Sequence, residues 1–178
     1  MHPHSYAMNR IDIWKISMPR VASLFVILIT IPVVVVAAET MSDLVKRDGR
    51  YYSILGNKLF SGVVSGPDSG SFKKGLRHGE WTSFYENGQV KNRGRYLLGQ
   101  KEGMWLGYYR SGQLFYQGAY KADKKDGPWV SYYEDNTLFY RGAYLLGEED
   151  GEWIAFNPDG SVWDYRSGVF KAGVKVSD

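Results

Sequence analysis

Four tryptophans, Trp81, Trp105, Trp129 and Trp153, stand 24 residues apart. The same residue types recur at fixed offsets from each. An aromatic lies at +3 (Phe84, Tyr108, Tyr132, Phe156) and a Val or Leu at +9 (Val90, Leu114, Leu138, Val162). A glycine lies at +13 (Gly94, Gly118, Gly142) and a tyrosine at +15 (Tyr96, Tyr120, Tyr144). A period of this length marks an array of small supersecondary units that bury a core only by stacking on their neighbours. No helical period occurs after residue 40, so the array is all-β.

The unit reads as a hairpin. In WTSFYENGQVKNRGRY, β-branched and aromatic residues flank Asn87-Gly88, a pair suited to the two positive φ angles of a type I′ turn. That turn predicts the pairs Tyr85–Val90, Ser83–Asn92 and Trp81–Gly94, with Trp105–Gly118 and Trp129–Gly142 following by repetition. Each indole is then expected to lie over the glycine of its own hairpin, so Gly118→Val should strike Trp105. Alternation places Trp105, Tyr109, Leu114, Tyr116 and Tyr120 on one face, and Leu106, Tyr108, Phe115 and Gln117 on the other. The glycine-bearing stretches LLGQKEG, KADKKDG and LLGEEDG read as loops between hairpins. The expected fold is an elongated antiparallel β-meander of repeated 24-residue hairpins, with roughly nine or ten strands.

Both ends depart from the period. Gly70, Phe72, Gly75 and Gly79 fit the registers one period early, and Gly168 and Phe170 arrive two residues late. The organisation expected is an N-terminal cap over 39–69, the repeat array over 70–173 and a tail over 174–178. Ahead of them, Val21 to Ala38 carries no charge, basic residues precede it, and Val36-Ala37-Ala38 supplies small residues at −3 and −1. This is the pattern of a secretory signal peptide over 1–38, giving a periplasmic or secreted protein after cleavage near Ala38. The alternative is retention as an inner-membrane anchor through residues 21–38.

The leader also holds much of the basic bias. The chain's net charge is +3, and setting aside Arg10, Lys15, Arg20 and Asp12 leaves +1. Residues 39–103 carry +4 and residues 104–178 carry −3, which is no nucleic-acid footprint. With no cysteine, thiolate chemistry and disulfides are excluded. His78 is the only histidine after the leader, and it sits at a register otherwise held by Glu102, Asp126 and Asp150, read as a solvated loop. Glu148-Glu149-Asp150 lacks the alternating ligands of a calcium loop, and G-x-S-x-G is absent. No catalytic residue, metal site or cofactor is expected.

The motif in WTSFYENGQVKNRGRYLLGQKEG and WLGYYRSGQLFYQGAYKADKKDG resembles the MORN repeat, in its bacterial variant. The lead-in LVKRDGRYYSILGNKLFSGVV is similar to the start of YwqK-type repeat proteins labelled as antitoxins. The resemblance implies protein–protein interaction, contact with anionic membranes, or the antitoxin label.

From these readings the chain is expected to be an exported, non-enzymatic scaffold that binds another protein. The structural repeat residues are Trp81, Gly94, Tyr96, Trp105, Gly118, Tyr120, Trp129, Gly142, Tyr144 and Trp153. The candidate binding surface is Tyr108, Phe115, Tyr132 and Phe139, because a single-layer sheet cannot bury both faces; the alternative is a sheet that curls and partly buries them. Candidate lipid contacts are Lys73, Lys74, Lys121, Lys124 and Lys125, for weak attachment to an anionic membrane surface. A cell-wall saccharide is the third class of partner, through exposed aromatics.

Overall fold

The computed structural model describes residues 38–178. The leader expected upstream, apart from Ala38 itself, lies outside the described residues. The strands are β1 (Glu39–Thr40), β2 (Leu44–Arg47), β3 (Arg50–Ser53), β4 (Gly62–Ser65), β5 (Asp68–Lys73), β6 (Leu76–Phe84) and β7 (Val90–Leu97). They continue as β8 (Gln100–Tyr108), β9 (Leu114–Lys121), β10 (Lys124–Tyr132), β11 (Leu138–Leu145), β12 (Glu148–Ala155), β13 (Gly168–Lys171) and β14 (Val174–Ser177). From β4 to β14 each strand pairs with the next, and β1 adds in parallel to β4. The result is one sheet of 12 strands, with β2 and β3 forming a separate hairpin. The sheet is longer than expected because β1 and β4, from the expected cap, and β14, from the expected tail, join it. Among the described residues the only helical segments are two 3-10 turns, Met41–Asp43 and Asp164–Arg166.

The tight type I′ turns lie elsewhere than expected. At Asn87-Gly88 only Gly88 has positive φ (+83°), and the same holds for Gly112, Asn136 and Gly160. Gly88 N donates to Tyr85 O and Tyr85 N to Gln89 O, so the connection is a three-residue loop closed by a left-handed residue. Asn87 Oδ1 accepts the N–H of Gln89, an Asx turn that holds Asn87 on the type I path. Phe84 therefore faces Val90, where Tyr85 was expected. A bulge restores the Ser83–Asn92 and Trp81–Gly94 pairs.

The stretches taken as inter-hairpin loops are instead strand joined by two-residue turns. Leu98 (φ +50°) and Gly99 (φ +91°) connect the pair Leu97–Gln100. Ala122-Asp123 and Leu146-Gly147 repeat this geometry. Two residues at positive φ match the right-handed twist of paired strands, and that match outweighs the cost of a leucine there. His78 accordingly lies within β6, opposite Ser71, and is half-buried.

Each tryptophan covers a glycine, but of the preceding strand. A Cβ at Gly70 would overlap the Trp81 indole, one at Gly94 the indole of Trp105, one at Gly118 that of Trp129 and one at Gly142 that of Trp153. Gly118 thus accommodates Trp129 and not Trp105. The direction is set by hydrogen bonding. Trp81 Nε1 donates to Ser71 O, Trp105 Nε1 to Arg95 O and Trp153 Nε1 to Ala143 O, each a carbonyl one residue beyond the covered glycine. Trp129 alone leaves its Nε1 buried without a partner. Its ring stacks on Tyr116 with centroids 5.0 Å apart and planes 10° apart.

The core is one column of rings. Phe60, Phe72, Trp81, Tyr96 and Trp105 meet edge to face in succession, and Tyr120, Trp129, Tyr144 and Trp153 continue the series. The four indoles are 3–5 % exposed. Burial at this level, together with edge-to-face contact, makes the column the main source of stability. Leu44, Phe60 and Val64 close it at the N-terminal end, and Phe170 packs with Trp129 and Trp153 at the other. The two late residues are absorbed between β12 and β13, where the register resumes as Gly151–Phe170 and Trp153–Gly168. Gly168 is covered by Ser177 O and the Lys175 side chain, where an indole lies in the earlier units.

Candidate functional site

Three surfaces are left once the ring column is packed. The first lies on the opposite face of the sheet. There Met104, Pro128, Val130, Ile154, Val162 and Val169 line a groove of about 780 Å³, with Gln117, Arg141 and Glu152 among them. These are mainly positions flanking each tryptophan and glycine, which point away from the ring column because successive side chains alternate. The pairs Val130–Arg141 and Arg141–Ile154 bring them together across strands. Met104 is 53 % exposed and Val162 44 %. The corresponding first-unit residues are Glu80, Thr82, Arg93 and Arg95, so the face runs from charged to apolar along the array. Sequence reasoning placed Leu106 on this face but missed the groove. The available signal was the residue on either side of each tryptophan.

The second surface is the long edge that carries the two-residue turns. Leu97, Leu98, Leu145 and Leu146 are exposed there, with Leu98 at 58 % and Leu146 at 60 %. Lys73, Lys74, Lys121 and Lys124 are exposed at alternate turns of the same edge. Lys125 stands apart from them. Its Nζ lies 4.2 Å from the ring centre of Trp129 and 4.4 Å from that of Tyr144, and it donates to Tyr144 Oη at 3.3 Å. It is therefore a half-buried part of the ring face and not a free loop charge.

The opposite edge, formed by the three-residue loops, is polar and tied across units. Tyr85 Oη donates to Tyr108 O, Tyr109 Oη to Tyr132 O and Tyr133 Oη to Phe156 O. Asn87 Nδ2 donates to Arg110 O at 2.9 Å. The candidate residues Tyr108, Phe115, Tyr132 and Phe139 lie beside this edge. Phe115 packs on Tyr109 with centroids 4.9 Å apart, and Phe139 on Tyr133 at 4.7 Å. Strict alternation put Tyr109 on the other face from Phe115. The register shift between Gly107 and Tyr108 brings the two rings together. Phe115 is exposed, while Tyr108, Tyr132 and Phe139 are half-buried.

The third surface is the ring face, which carries a row of cations that sequence reasoning missed. Arg77, Lys101 and Lys125 recur every 24 residues, and Glu149 takes the next place. Arg77 Cζ lies 4.6 Å from the Trp81 ring centre, and Lys101 Nζ lies 4.4 Å from that of Trp105 and 4.8 Å from that of Tyr120. Cation–π attraction holds them there. Gly79, Gly103 and Gly127, each at positive φ, form the bulges between the cation and the tryptophan of each unit. Burial pulls the Lys101 and Lys125 ammonium groups below the usual lysine range, opposed by Asp123 and Glu149 respectively. The same desolvation raises Tyr116 to about 12, with Tyr120 and Tyr96 adding to it.

Among the described residues no group of three or more His, Asp or Glu is placed to hold a metal. Nor is any helix there long and apolar enough to cross a membrane. The arrangement offers surfaces for binding. Compared with known protein families, residues 77–97 and 101–122 match the MORN repeat variant. These segments are the hairpins β6–β7 and β8–β9, each closed by its three-residue loop. No curated protein matches the chain.

Proposed function

We propose that this chain, a binding scaffold built on MORN repeat variants, is an exported protein that holds another protein of the cell envelope against its groove face. The supporting observation is the apolar groove of Met104, Val130 and Ile154, on the side of the sheet that the ring column leaves uncovered. Its ring of Gln117, Arg141 and Glu152 gives the apolar centre and polar rim of a protein interface. The antitoxin label from the family resemblance fits this reading only for a toxin that acts in the envelope or outside the cell. Capture from an envelope fraction, with the protein and its Val130→Asp variant side by side, tests it. A partner enriched by the parent and lost in the variant is the expected result. A clean preparation with no enriched partner sinks the reading.

A second reading, attachment to an anionic membrane surface, is favoured by one edge of the sheet. Exposed leucine pairs there alternate with lysines, which suits insertion of Leu98 and Leu146 between headgroups that attract Lys73, Lys74, Lys121 and Lys124. Salt-sensitive co-sedimentation with phosphatidylglycerol vesicles, lost in a Leu98→Glu/Leu146→Glu variant, is expected on this reading. No association at low salt rules it out. A cell-wall saccharide remains the third class of partner, tested by glycan binding lost on changing Tyr108 or Tyr132.

A further inference from the structure

One cavity on the ring face differs from its counterparts in the later units. It holds about 200 Å³ between Trp81 and Trp105 and is lined by Arg77, Lys101, Ser83 and Asn92, with Asp68 also on its wall. In the next unit the place of Asn92 is taken by Tyr116, which stacks on Trp129, and in the one after by Tyr140. The space exists because the first unit has a short amide where the others have a ring.

Arg77 and Lys101 both line this space, and few groups pair with their charges. No carboxylate lies within 4.0 Å of the Lys101 ammonium among the described residues, and its Nζ makes no hydrogen bond there. Asp123, whose charge acts on Lys101, has its Oδ1 engaged by the backbone N–H of Lys101 at 2.8 Å. Arg77 meets Asp68 only at 3.9 Å and Tyr96 Oη at 3.4 Å, and its buried Nε has no partner. Asn92 Oδ1 is taken by Tyr116 Oη at 3.2 Å, while its Nδ2 reaches Ser83 Oγ only at 3.5 Å. A half-buried ammonium, a guanidinium with unused donors and a weakly bonded amide N–H₂ therefore surround one small space. Like charges brought together and partly desolvated are costly unless an anion joins them.

We infer that the cavity between Trp81 and Trp105 is a binding site for a small oxyanion, a phosphate or carboxylate group, held by Arg77, Lys101 and Asn92. Its volume is below the roughly 300–1,000 Å³ of sites for drug-sized ligands, so the group enters alone or on a short hydroxylated unit. A guanidinium and an ammonium supply the charge-assisted hydrogen bonds such groups take. Asp68 offsets part of the Arg77 charge from one side. This site is separate from the groove face and from the leucine edge, so the tests of those surfaces do not bear on it.

Titration with sodium phosphate or sodium glucuronate at fixed ionic strength tests the site, read by tryptophan fluorescence because Trp81 and Trp105 form its walls. A third arm uses phosphatidate vesicles, to tell a lipid headgroup from a free anion. Saturable binding in any arm is expected, weakened about tenfold or more by Lys101→Gln and by Asn92→Tyr. Asn92→Tyr fills the space with the residue already present at that register in the next two units, so it keeps the fold, which a thermal melt checks. Lys125→Gln should leave binding unchanged, since Tyr116 occupies the equivalent space beside it. Absence of saturable binding in all three arms overturns the inference, as does equal weakening by Lys125→Gln.

Discussion

Trp105 lies over Gly94, the glycine of the strand before it, and leaves no room there for a Cβ. The same indole donates to Arg95 O, one residue further along that strand, so ring and backbone are locked in one direction along the array. Gly94→Ala is expected to cost about 1–3 kcal/mol through overpacking. Trp105→Ala is expected to cost about 3–5 kcal/mol. The two should be strongly non-additive, because without the indole an alanine at 94 has space. Denaturant melts of the two single variants and the double variant measure this. Additive losses would mean that the indole does not lie on Gly94.

Gly118 separates the two possible directions of covering. In the structure Gly118→Ala displaces Trp129 and leaves Trp105 in place. Selective labelling with fluorotryptophan gives one resonance per indole. The Trp129 signal should move most on this substitution, and a larger shift at Trp105 would reverse the direction assigned here.

Trp129 has no acceptor for its buried Nε1, whereas Trp105 donates to a carbonyl. Replacing Trp105 by Phe both shrinks the ring and removes the donor to Arg95 O. Replacing Trp129 by Phe shrinks the ring but removes an unsatisfied donor. Trp129→Phe should therefore be milder than Trp105→Phe by about 1 kcal/mol. Equal losses in chemical denaturation would show that the indole N–H bond contributes nothing.

Tyr116 gives a pH dependence with a defined sign. Burial raises its hydroxyl from the ordinary 10.0 to about 12, so the folded state holds this proton more tightly than the unfolded chain. Its contribution to stability is complete below about pH 10 and is lost as pH rises through about 12. Lys101 and Lys125 are shifted the opposite way. Their contribution makes stability rise with pH as it approaches 10.5 from below. The net fall is therefore confined to the alkaline end. Urea melts across this range, followed by tyrosinate absorbance, should show that fall. Tyr116→Phe should lessen it, the rest coming from Tyr120 and Tyr144, whose hydroxyls burial raises in the same way.

Much of the fold was legible because it depends on period. Four tryptophans at one spacing and a glycine at a fixed offset announce an array, and the MORN-type hairpin, the Trp81–Gly94 pairing and the ring column follow. Direction and turn type were not legible. A tryptophan with a glycine opposite on both sides, as Trp129 has in Gly118 and Gly142, does not say in one dimension which of them it covers. Asn-Gly suits a type I′ turn and equally a type I turn closed by a left-handed glycine. The actual type I′ turns use Leu98 and Leu146, residues that propensity alone would not place at positive φ. The candidate surfaces were harder still. The Arg77, Lys101 and Lys125 row has a visible period, but its position over the indoles depends on the bulges at Gly79, Gly103 and Gly127. The cavity at Asn92 depends on one residue being small where its repeats are large.

The lysine laid over Gly168 has a consequence for how such a molecule changes length. Its Nζ donates to Asp164 O at 3.0 Å and pairs with Asp178, so the stem that covers the glycine is anchored at its charged tip. A further 24-residue unit placed after β14 would find Gly168 already covered and no glycine in Val174–Ser177, and so would have no seat for its indole. A unit duplicated inside the array would find a glycine before it and a tryptophan after it. Growth by tandem duplication is thus confined to the interior, and the molecule lengthens by whole turns of its period while its two terminal layers stay as they are.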